Sequence, residues 1–365
     1  MSLIKVKTRG TDNVSGRKNL IINGAMQVAQ RGTSVTGITG ADYHTCDRWY
    51  LQVSSLGTHT VTQETLTSGN AYNDGFTKAF RVDCTTADAS PASGDHIFFQ
   101  QKIEAQNLQH LAYGTSGAKS LTLSFWVKSN KTGTYEIMHF VSDANRQVNS
   151  TYTINSANTW EKKVLSIPAD TGGGGINNDN GEGFRSIFYL AVGSQRQSGS
   201  TPTSWQAYDV GNEAPSQTVN IGDSTANDWA ITGYQLEVGD TATEFEHLSF
   251  AEELQLCKRY FHTYGGTNAF EHLPFLGQGN SSSINFNHEL PVEMRATPSL
   301  TQSGDWRVND GYLGSYFTLS SVALDNLSTK LVRGSATTSS AIGGDIGRIL
   351  AYNDTNARWS YSAEL

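Results

Sequence analysis

Apolar and polar residues alternate along most of the chain with a period of two, the pattern of β-strands that bury one face. In SLTLSFWVKS (120–129), apolar side chains occupy every odd position from 121 to 127. Four other segments show related patterns: DRWYLQVSS, HIFFQQKIE, FRSIFYLAVG and WAITGYQLEVG. Turn residues such as Gly, Asn and Asp separate the segments. Roughly a dozen short strands without an intervening helix predict an all-β, antiparallel jelly-roll sandwich over residues 19–247.

One segment departs from this period. SFAEELQLCKRYF (249–261) begins with a capping box, in which Ser249 caps the helix and Glu252 reaches back to it. Phe250, Cys257 and Phe261 then fall on one apolar stripe at helical spacing. We therefore predict a short connector helix over 248–262.

Residues 263–365 return to short, polar strands and predict a smaller C-terminal β-domain, which is long enough for a core of its own. Apolar residues are sparse in this region. We therefore expect the domain to bury part of its surface against a partner chain.

Composition and charge exclude several classes of protein. The chain is acidic, with 26 Lys and Arg against 34 Asp and Glu, which argues against a nucleic-acid partner. No apolar run is long enough for membrane insertion, and the first residues do not resemble a secretory signal, so we expect synthesis and folding in a cytoplasm. Cys46, Cys84 and Cys257 are widely spaced and are expected to be free thiols.

The first 18 residues form a basic arm. It contains five basic residues and a single acidic residue, Asp12. The basic residues are Lys5, Lys7, Arg9, Arg17 and Lys18. Two interpretations are open: a solvated terminal arm, or an anchor that becomes ordered on a larger assembly.

Two separated blocks of the sequence resemble a known family. NLIINGAMQVAQRGTS (19–34) with DRWY (47–50) forms the first block, and WAITGYQLEVGDTATEFEHLSFAEELQLCKRYF (229–261) forms the second. They resemble the blocks that flank a carbohydrate-binding-module-like jelly roll in phage tail-fibre and virion-fibre proteins. LPVEMRATPSL (290–300) resembles a third segment of that family, although LSF at 248–250 replaces its more usual Arg-Ser-Tyr.

The resemblance covers about residues 19–300 and implies a bacteriophage virion protein made in the bacterial cytoplasm. It also implies a homotrimer that contacts other tail or head proteins through residues 1–18 and binds host surface polysaccharide. In such a jelly roll, NLIING and ITGYQLEVG would be neighbouring first and last strands that close the sandwich.

Sugars stack on aromatic rings while polar groups hold their hydroxyls, so outward-facing aromatic and polar residues are candidates for glycan binding. If the strands share a sheet, these residues form one platform. Alternatively, the outward rings pack under a loop or against a neighbouring subunit. The candidates are Trp126, Lys128, Arg185, Tyr189, Gln235 and Glu237 on strands, and Trp205 in a loop.

We expect no catalysis and no cofactor. The chain has no G-x-S-x-G, no H-E-x-x-H and no Cys/His cluster with metal spacing. A depolymerase would need two carboxylates brought together by the fold, but the chain lacks β-helix repeats. Asp170, Asp179 and Glu182, in and beside the glycine-rich segment 171–183, are candidate ligands for a structural calcium ion.

These features predict a tail fibre or receptor-binding virion protein that adsorbs to host polysaccharide without cleaving it. The alternative is a structural head-fibre, decoration or adaptor protein that binds no glycan. An open aromatic face favours the first function, and a buried one favours the second.

Overall fold

The computed structural model describes residues 17–280, 282–310, 315–339 and 346–365, so most of the predicted N-terminal arm, 1–18, lies outside the described residues. The first part of the chain forms 13 strands, and they are antiparallel. The strands are β1 Ser34–Ile38, β2 Ala41–Tyr43, β3 Tyr50–Ser54, β4 Thr58–Thr65, β5 Lys78–Thr86, β6 His96–Glu104, β7 Leu121–Ser129, β8 Gly133–Val141, β9 Arg146–Ile154, β10 Glu161–Ile167, β11 Glu182–Val192, β12 Gln206–Ala207 and β13 Asp228–Val238.

These strands form two sheets packed face to face, which confirms the predicted all-β jelly-roll sandwich. Sheet A has the order β1-β4-β5-β13-β7-β10, and sheet B has the order β12-β9-β8-β11-β6-β3-β2. A short helix, α1 (Asn70–Asn73), lies between β4 and β5. No helix among the described residues is long and apolar enough to cross a membrane.

The core between the sheets consists of the side chains that point inward from alternate residues of each strand. The odd-numbered residues of β7 from 121 to 127 are fully buried, as their alternation predicts. β13 needs a break in this period, because both Ile231 and Tyr234 point into the core. This break is a register shift between Thr232 and Gln235 in the pairing of β13 with β7, where Gly233 has a φ of 60°.

The NLIING segment is not a strand, contrary to the sequence prediction. It nevertheless runs beside β13: the Leu20 N–H donates to the Leu236 carbonyl oxygen at 2.9 Å. A second backbone bond runs from the Tyr234 N–H to the Gly24 carbonyl oxygen at 2.9 Å. The Asn19 side chain adds two more, donating to the Tyr234 carbonyl at 3.0 Å and accepting from the Leu236 N–H at 3.1 Å. Backbone and side-chain bonds together thus hold the segment against β13.

The predicted helix is present as α2 (Phe250–Lys258), with the capping box between Ser249 and Glu252. Two expected members of its apolar stripe lie elsewhere. Phe250 is 55% exposed, and Phe261 belongs to the following strand. The chain packs instead through Cys257 on α2 and Tyr260 just beyond it, which lie in one cluster with Ile22 and Val28 of the sandwich segment.

The remaining strands form a six-stranded closed barrel and a three-stranded sheet. The barrel order is β15-β16-β20-β19-β18-β21, and the sheet order is β14-β22-β17. The strands are β14 Phe261–Gly265, β15 His272–Asn280, β16 Ser283–Glu289, β17 Ser299–Ser303, β18 Trp306–Asp310, β19 Tyr316–Leu327, β20 Leu331–Thr338, β21 Ile346–Ala351 and β22 Arg358–Ser362. They enclose a core of their own around Trp306 and Trp359. The sparse apolar residues of this region thus gather in one core, and burial against a partner chain stays a prediction.

A buried polar cluster joins this C-terminal part to the sandwich. We call it the junction and define it as Asp47, Arg48, Glu104, Arg259, Tyr260 and Glu364. The Arg259 guanidinium donates two bonds to the Glu104 carboxylate, both at 2.8 Å, and the Tyr260 hydroxyl donates a third at 2.5 Å. Arg48 pairs with Glu364 and lies 3.5 Å from the centre of the Tyr260 ring.

The first testable prediction concerns Glu104, whose carboxylate is buried. Burial opposes its ionisation, but the hydrogen bonds from Arg259 and Tyr260 outweigh burial and lower its pKa. Glu104→Gln should therefore reduce the free energy of unfolding by about 2 kcal/mol, because charge-assisted bonds are lost. Thermal or denaturant unfolding measures this. Glu293→Gln, which removes an exposed pair with Lys330, is the control and should have no measurable effect.

The second prediction concerns His262, which is buried in β14 with neither ring nitrogen hydrogen-bonded among the described residues. Burial, with smaller contributions from Lys258 and His288, lowers its pKa to about 3. An unfolded histidine titrates near pH 6.5. The folded state therefore loses stability as the pH falls from about 6.5 towards 3, by about 2 kcal/mol at pH 5.

His262→Leu should remove this contribution, so its unfolding temperature should fall less than that of the wild type between pH 7 and pH 5. Parallel curves for the two proteins over this range would contradict the assignment.

Candidate functional site

The outward face of sheet B carries a groove of about 400 Å³ that crosses the strands. Residues paired across neighbouring strands form its rows: Tyr50 lies opposite Gln100, and Gln100 opposite Ile187. Two residues further along these two strands, Phe98 lies opposite Tyr189. The lining residues are Tyr50, Gln52, Phe98, Gln100, Lys102, Met138, Phe140, Arg185, Ile187, Tyr189, Arg196, Tyr208 and Glu213.

The floor of the groove is aromatic and apolar with one unpaired polar group. Phe98 is half-buried, stacks on His96 at 5.3 Å and meets the edge of the Tyr189 ring at 6.0 Å. Gln100 is 3% exposed, and its Oε1 atom has no hydrogen-bond partner among the described residues. A buried, unpaired acceptor costs free energy unless a ligand or water donates to it.

One wall comes from the segments that flank β12, between β11 and β13. The Glu213 carboxylate accepts from the Tyr189 hydroxyl at 2.9 Å and from the Tyr208 hydroxyl at 2.5 Å, and it pairs with Arg196 at 2.8 Å. Burial and the neighbouring carboxylate raise the pKa of Tyr208, so its hydroxyl stays protonated. The Tyr208 ring is exposed and stands edge-on to Phe140 at 5.5 Å. Glu213 thus fixes an exposed ring beside the floor.

Another part of the groove is basic. Lys102 on β6 lies directly opposite Arg185 on β11. Both pair at long range with one carboxylate, Glu182, at 3.4 and 3.3 Å. The Arg185 guanidinium lies 4.8 Å from the centre of the Phe140 ring. The groove therefore combines exposed and half-buried rings with polar donors and acceptors.

The predicted platform around Trp126 is not on this face. β7 lies in sheet A and β11 in sheet B, so Trp126 and Lys128 do not share a face with Arg185 and Tyr189. Trp126 packs against the cluster of Phe76 and Trp160, and its indole N–H donates to Asp74 at 3.0 Å. The chain covers this face itself, as the alternative interpretation of the outward rings states.

Lys128, Gln235 and Glu237 also have structural partners. Lys128 pairs with Glu64 at 3.3 Å. Gln235 and Glu237 lie on the face of β13 away from the core but are buried, because the segment after β13 folds over them. The Glu237 carboxylate accepts from the Thr243 N–H at 2.8 Å, and Gln235 accepts from the Glu246 N–H at 2.8 Å.

Of the seven candidates, the groove contains two. Arg185 lies at its basic end, and Tyr189 is in its floor, where the ring is 1% exposed. Trp205 lies apart from them: its indole N–H donates to the Pro168 carbonyl at 2.6 Å, and its ring packs on Tyr113 at 5.7 Å.

The three calcium candidates do not converge. Asp170 is buried and accepts two bonds from Arg146, at 2.7 and 3.1 Å. Asp179 accepts from the Gly181 N–H at 2.8 Å, and Glu182 pairs with Lys102 and Arg185. In the described part of the chain, no group of three or more His, Cys, Asp or Glu side chains could hold a metal ion.

Sequence reasoning missed most of the groove, although a signal was present. In HIFFQQKIE, residues 96, 98, 100 and 102 alternate with the buried Ile97, Phe99 and Ile103. In DRWYLQVSS, Tyr50 and Gln52 alternate with the buried Leu51 and Val53. Each strand therefore has an outward face with one aromatic and one or more polar residues, a period-2 pattern like that of β7.

The chain matches no protein-family model, and none of the curated proteins is significantly similar to it. Solved structures resemble it at low identity. A putative sugar binding protein from Bacteroides thetaiotaomicron is 13% identical, with a TM-score of 0.31 over 60% of this chain and 100% of that chain. The family 11 carbohydrate-binding module from Clostridium thermocellum, in complex with a β-1,3-1,4-mixed-linked tetrasaccharide, is 10% identical, with a TM-score of 0.27 over 59% and 98%.

The enzymatically active domain of tailspike protein 4 from bacteriophage CBA120 is 16% identical, with a TM-score of 0.30. The similarity covers 60% of this chain but only 21% of the tailspike chain.

The third prediction separates the two outer faces. Because Trp126 packs under its own chain, Trp126→Ala should lower the free energy of unfolding by about 2 kcal/mol. It should leave every binding activity of the sheet B groove unchanged. Unfolding curves and ligand titrations of the same preparation measure both effects. A stable variant that has lost binding would place the site on sheet A instead.

Proposed function

We propose that this protein is a bacteriophage receptor-binding fibre protein that adsorbs to bacterial surface polysaccharide through the sheet B groove, without catalysis. The observation that carries the proposal is the arrangement of Phe98, Tyr208 and Gln100. It combines an exposed ring fixed by a buried carboxylate, a half-buried ring in the floor and a buried acceptor without a partner.

Each feature matches a part of a sugar. Pyranose rings have apolar faces that stack on aromatic side chains, and their hydroxyls donate and accept hydrogen bonds. Tyr208 and Phe98 offer two such ring surfaces, and Gln52, Gln100 and Arg185 offer polar groups beside them. Tyr208 is exposed and Phe98 is half-buried, and two accessible rings favour adsorption over a purely structural adaptor role, which would bury them.

The carboxylates support binding without cleavage. Glycoside hydrolysis uses a pair of carboxyl groups roughly 5–10 Å apart, one as acid and one as base or nucleophile. Glu213 is the only carboxylate among the groove-lining residues, and two tyrosines and Arg196 already occupy it.

The fibre context rests on the two sequence blocks that resemble phage fibre proteins. A single open groove binds sugars weakly, and a trimer would repeat it three times at high effective concentration. Attachment to other virion proteins through residues 1–18 and the homotrimer are parts of this proposal.

The fourth prediction tests the groove. Tyr208→Ala should weaken binding of the protein to bacterial surface polysaccharides, displayed on a glycan microarray, by about tenfold, because one stacked ring contributes about 1–2 kcal/mol. Tyr208→Phe should retain most of the binding, because it keeps the ring. An assay for reducing ends on the same polysaccharides should show no release of sugar.

Tyr72→Ala is the matched control, since Tyr72 is also an exposed tyrosine but lies in α1. Equal binding by Tyr208→Ala and the wild type, or no binding by the wild type at high display density, would refute the proposed site. Release of reducing ends would refute the absence of catalysis.

A further inference from the structure

We propose that the polysaccharide bound in this groove is anionic and that Arg185 holds its acidic group, a carboxylate or a phosphate. This inference rests on the proposed function and adds the chemical class of the ligand.

The first observation is a like-charge pair. Lys102 and Arg185 are direct cross-strand neighbours on the outward face of sheet B. Like charges at opposed positions destabilise a sheet. Glu182 offers one carboxylate to both cations, at 3.4 and 3.3 Å, and this carboxylate also accepts from the Ser142 hydroxyl. Because the two cations share this one carboxylate, this part of the groove has a net positive charge.

The second observation is that Arg185 uses few of its donors. A guanidinium has five N–H donors. Arg185 makes a single hydrogen bond with the described residues, the 3.3 Å contact to Glu182, and its Nε atom is buried without a partner. Lys102 differs, because it also donates to the main-chain oxygen of Leu365 at 3.1 Å.

The Arg185 side chain is held in place although its donors are free. Its guanidinium packs on the ring of Phe140, which is the cross-strand neighbour of Arg185 on β8. A positioned planar guanidinium binds carboxylate or phosphate through two parallel hydrogen bonds. A neutral sugar would leave the charge uncompensated.

Arg196, the third cation of the groove, is less available to an acidic ligand. Arg196 is already paired with Glu213 at 2.8 Å, and Glu213 also binds two tyrosine hydroxyls. Arg185 and Tyr208 both contact the Phe140 ring, so a cation with few partners lies close to an exposed ring. A glycan with an acidic substituent beside a stacked sugar ring fits both.

The experiment measures binding of the full chain to a microarray of bacterial surface polysaccharides that contains acidic and neutral members. The inference predicts that the bound polysaccharides are acidic and that Arg185→Gln weakens their binding at least tenfold. Arg185→Lys should recover part of the loss, because it keeps the charge but not the two-bond geometry. Binding by the wild type should weaken as the salt concentration rises.

Two chemical treatments of a bound polysaccharide identify the acidic group. Carboxyl reduction should abolish binding if the group is a carboxylate, and dephosphorylation with hydrofluoric acid should do so if it is a phosphate. Lys162→Gln, which removes one exposed positive charge on sheet A, is the matched control and should bind like the wild type. Arg185→Gln should also keep the wild-type unfolding temperature, because it removes a like-charge contact.

The outcomes distinguish this inference from the proposed function. If neutral polysaccharides bind as well as acidic ones and Tyr208→Ala abolishes binding while Arg185→Gln does not, the anionic ligand is refuted and glycan binding stands. If no polysaccharide binds, the proposed function is refuted and the inference with it.

Discussion

The architecture depends on carboxylates that are buried among arginines at one edge of the sandwich. Glu104 at the end of β6 binds Arg259 and Tyr260, and Glu364 near the last residue binds Arg48. A buried carboxylate without its partners would be costly, so each of these contacts requires the others to be in place. The junction therefore holds α2 and the C-terminal barrel against the sandwich.

The junction also brings residues of the two sequence blocks into contact. Asp47 and Arg48 come from the first block, and Arg259 and Tyr260 come from the second. Between the blocks, the Gln30 side chain donates to Asp47 at 2.5 Å and to the Phe261 carbonyl at 2.8 Å. Residues that are more than 200 positions apart in sequence thus form one network, and the helix turns the chain back onto the sandwich instead of extending it away.

Local features were predictable from the sequence, and long-range ones were not. The alternation of β7 and the capping box of α2 depend on neighbouring residues, and both are present as predicted. The position of Trp126 depends on a pairing between β7 and β13, about 100 residues apart, and on coverage by the segment around α1. Nothing in the period of β7 indicates which sheet it joins or whether its outer face is covered. The alternation of β11 places Arg185 and Tyr189 outward, and the equally regular alternation of β6 places Phe98 and Gln100 on the same face.

The central claim is that a glycan binds across the strands of sheet B, in the groove that Phe98 and Tyr208 line. The most direct test is a crystal structure of the protein with an oligosaccharide prepared from a polysaccharide that it binds. The account predicts a sugar ring stacked on Phe98 or Tyr208, with an acidic group at Arg185. A sugar bound on sheet A near Trp126, or on the C-terminal barrel with the groove empty, would contradict it.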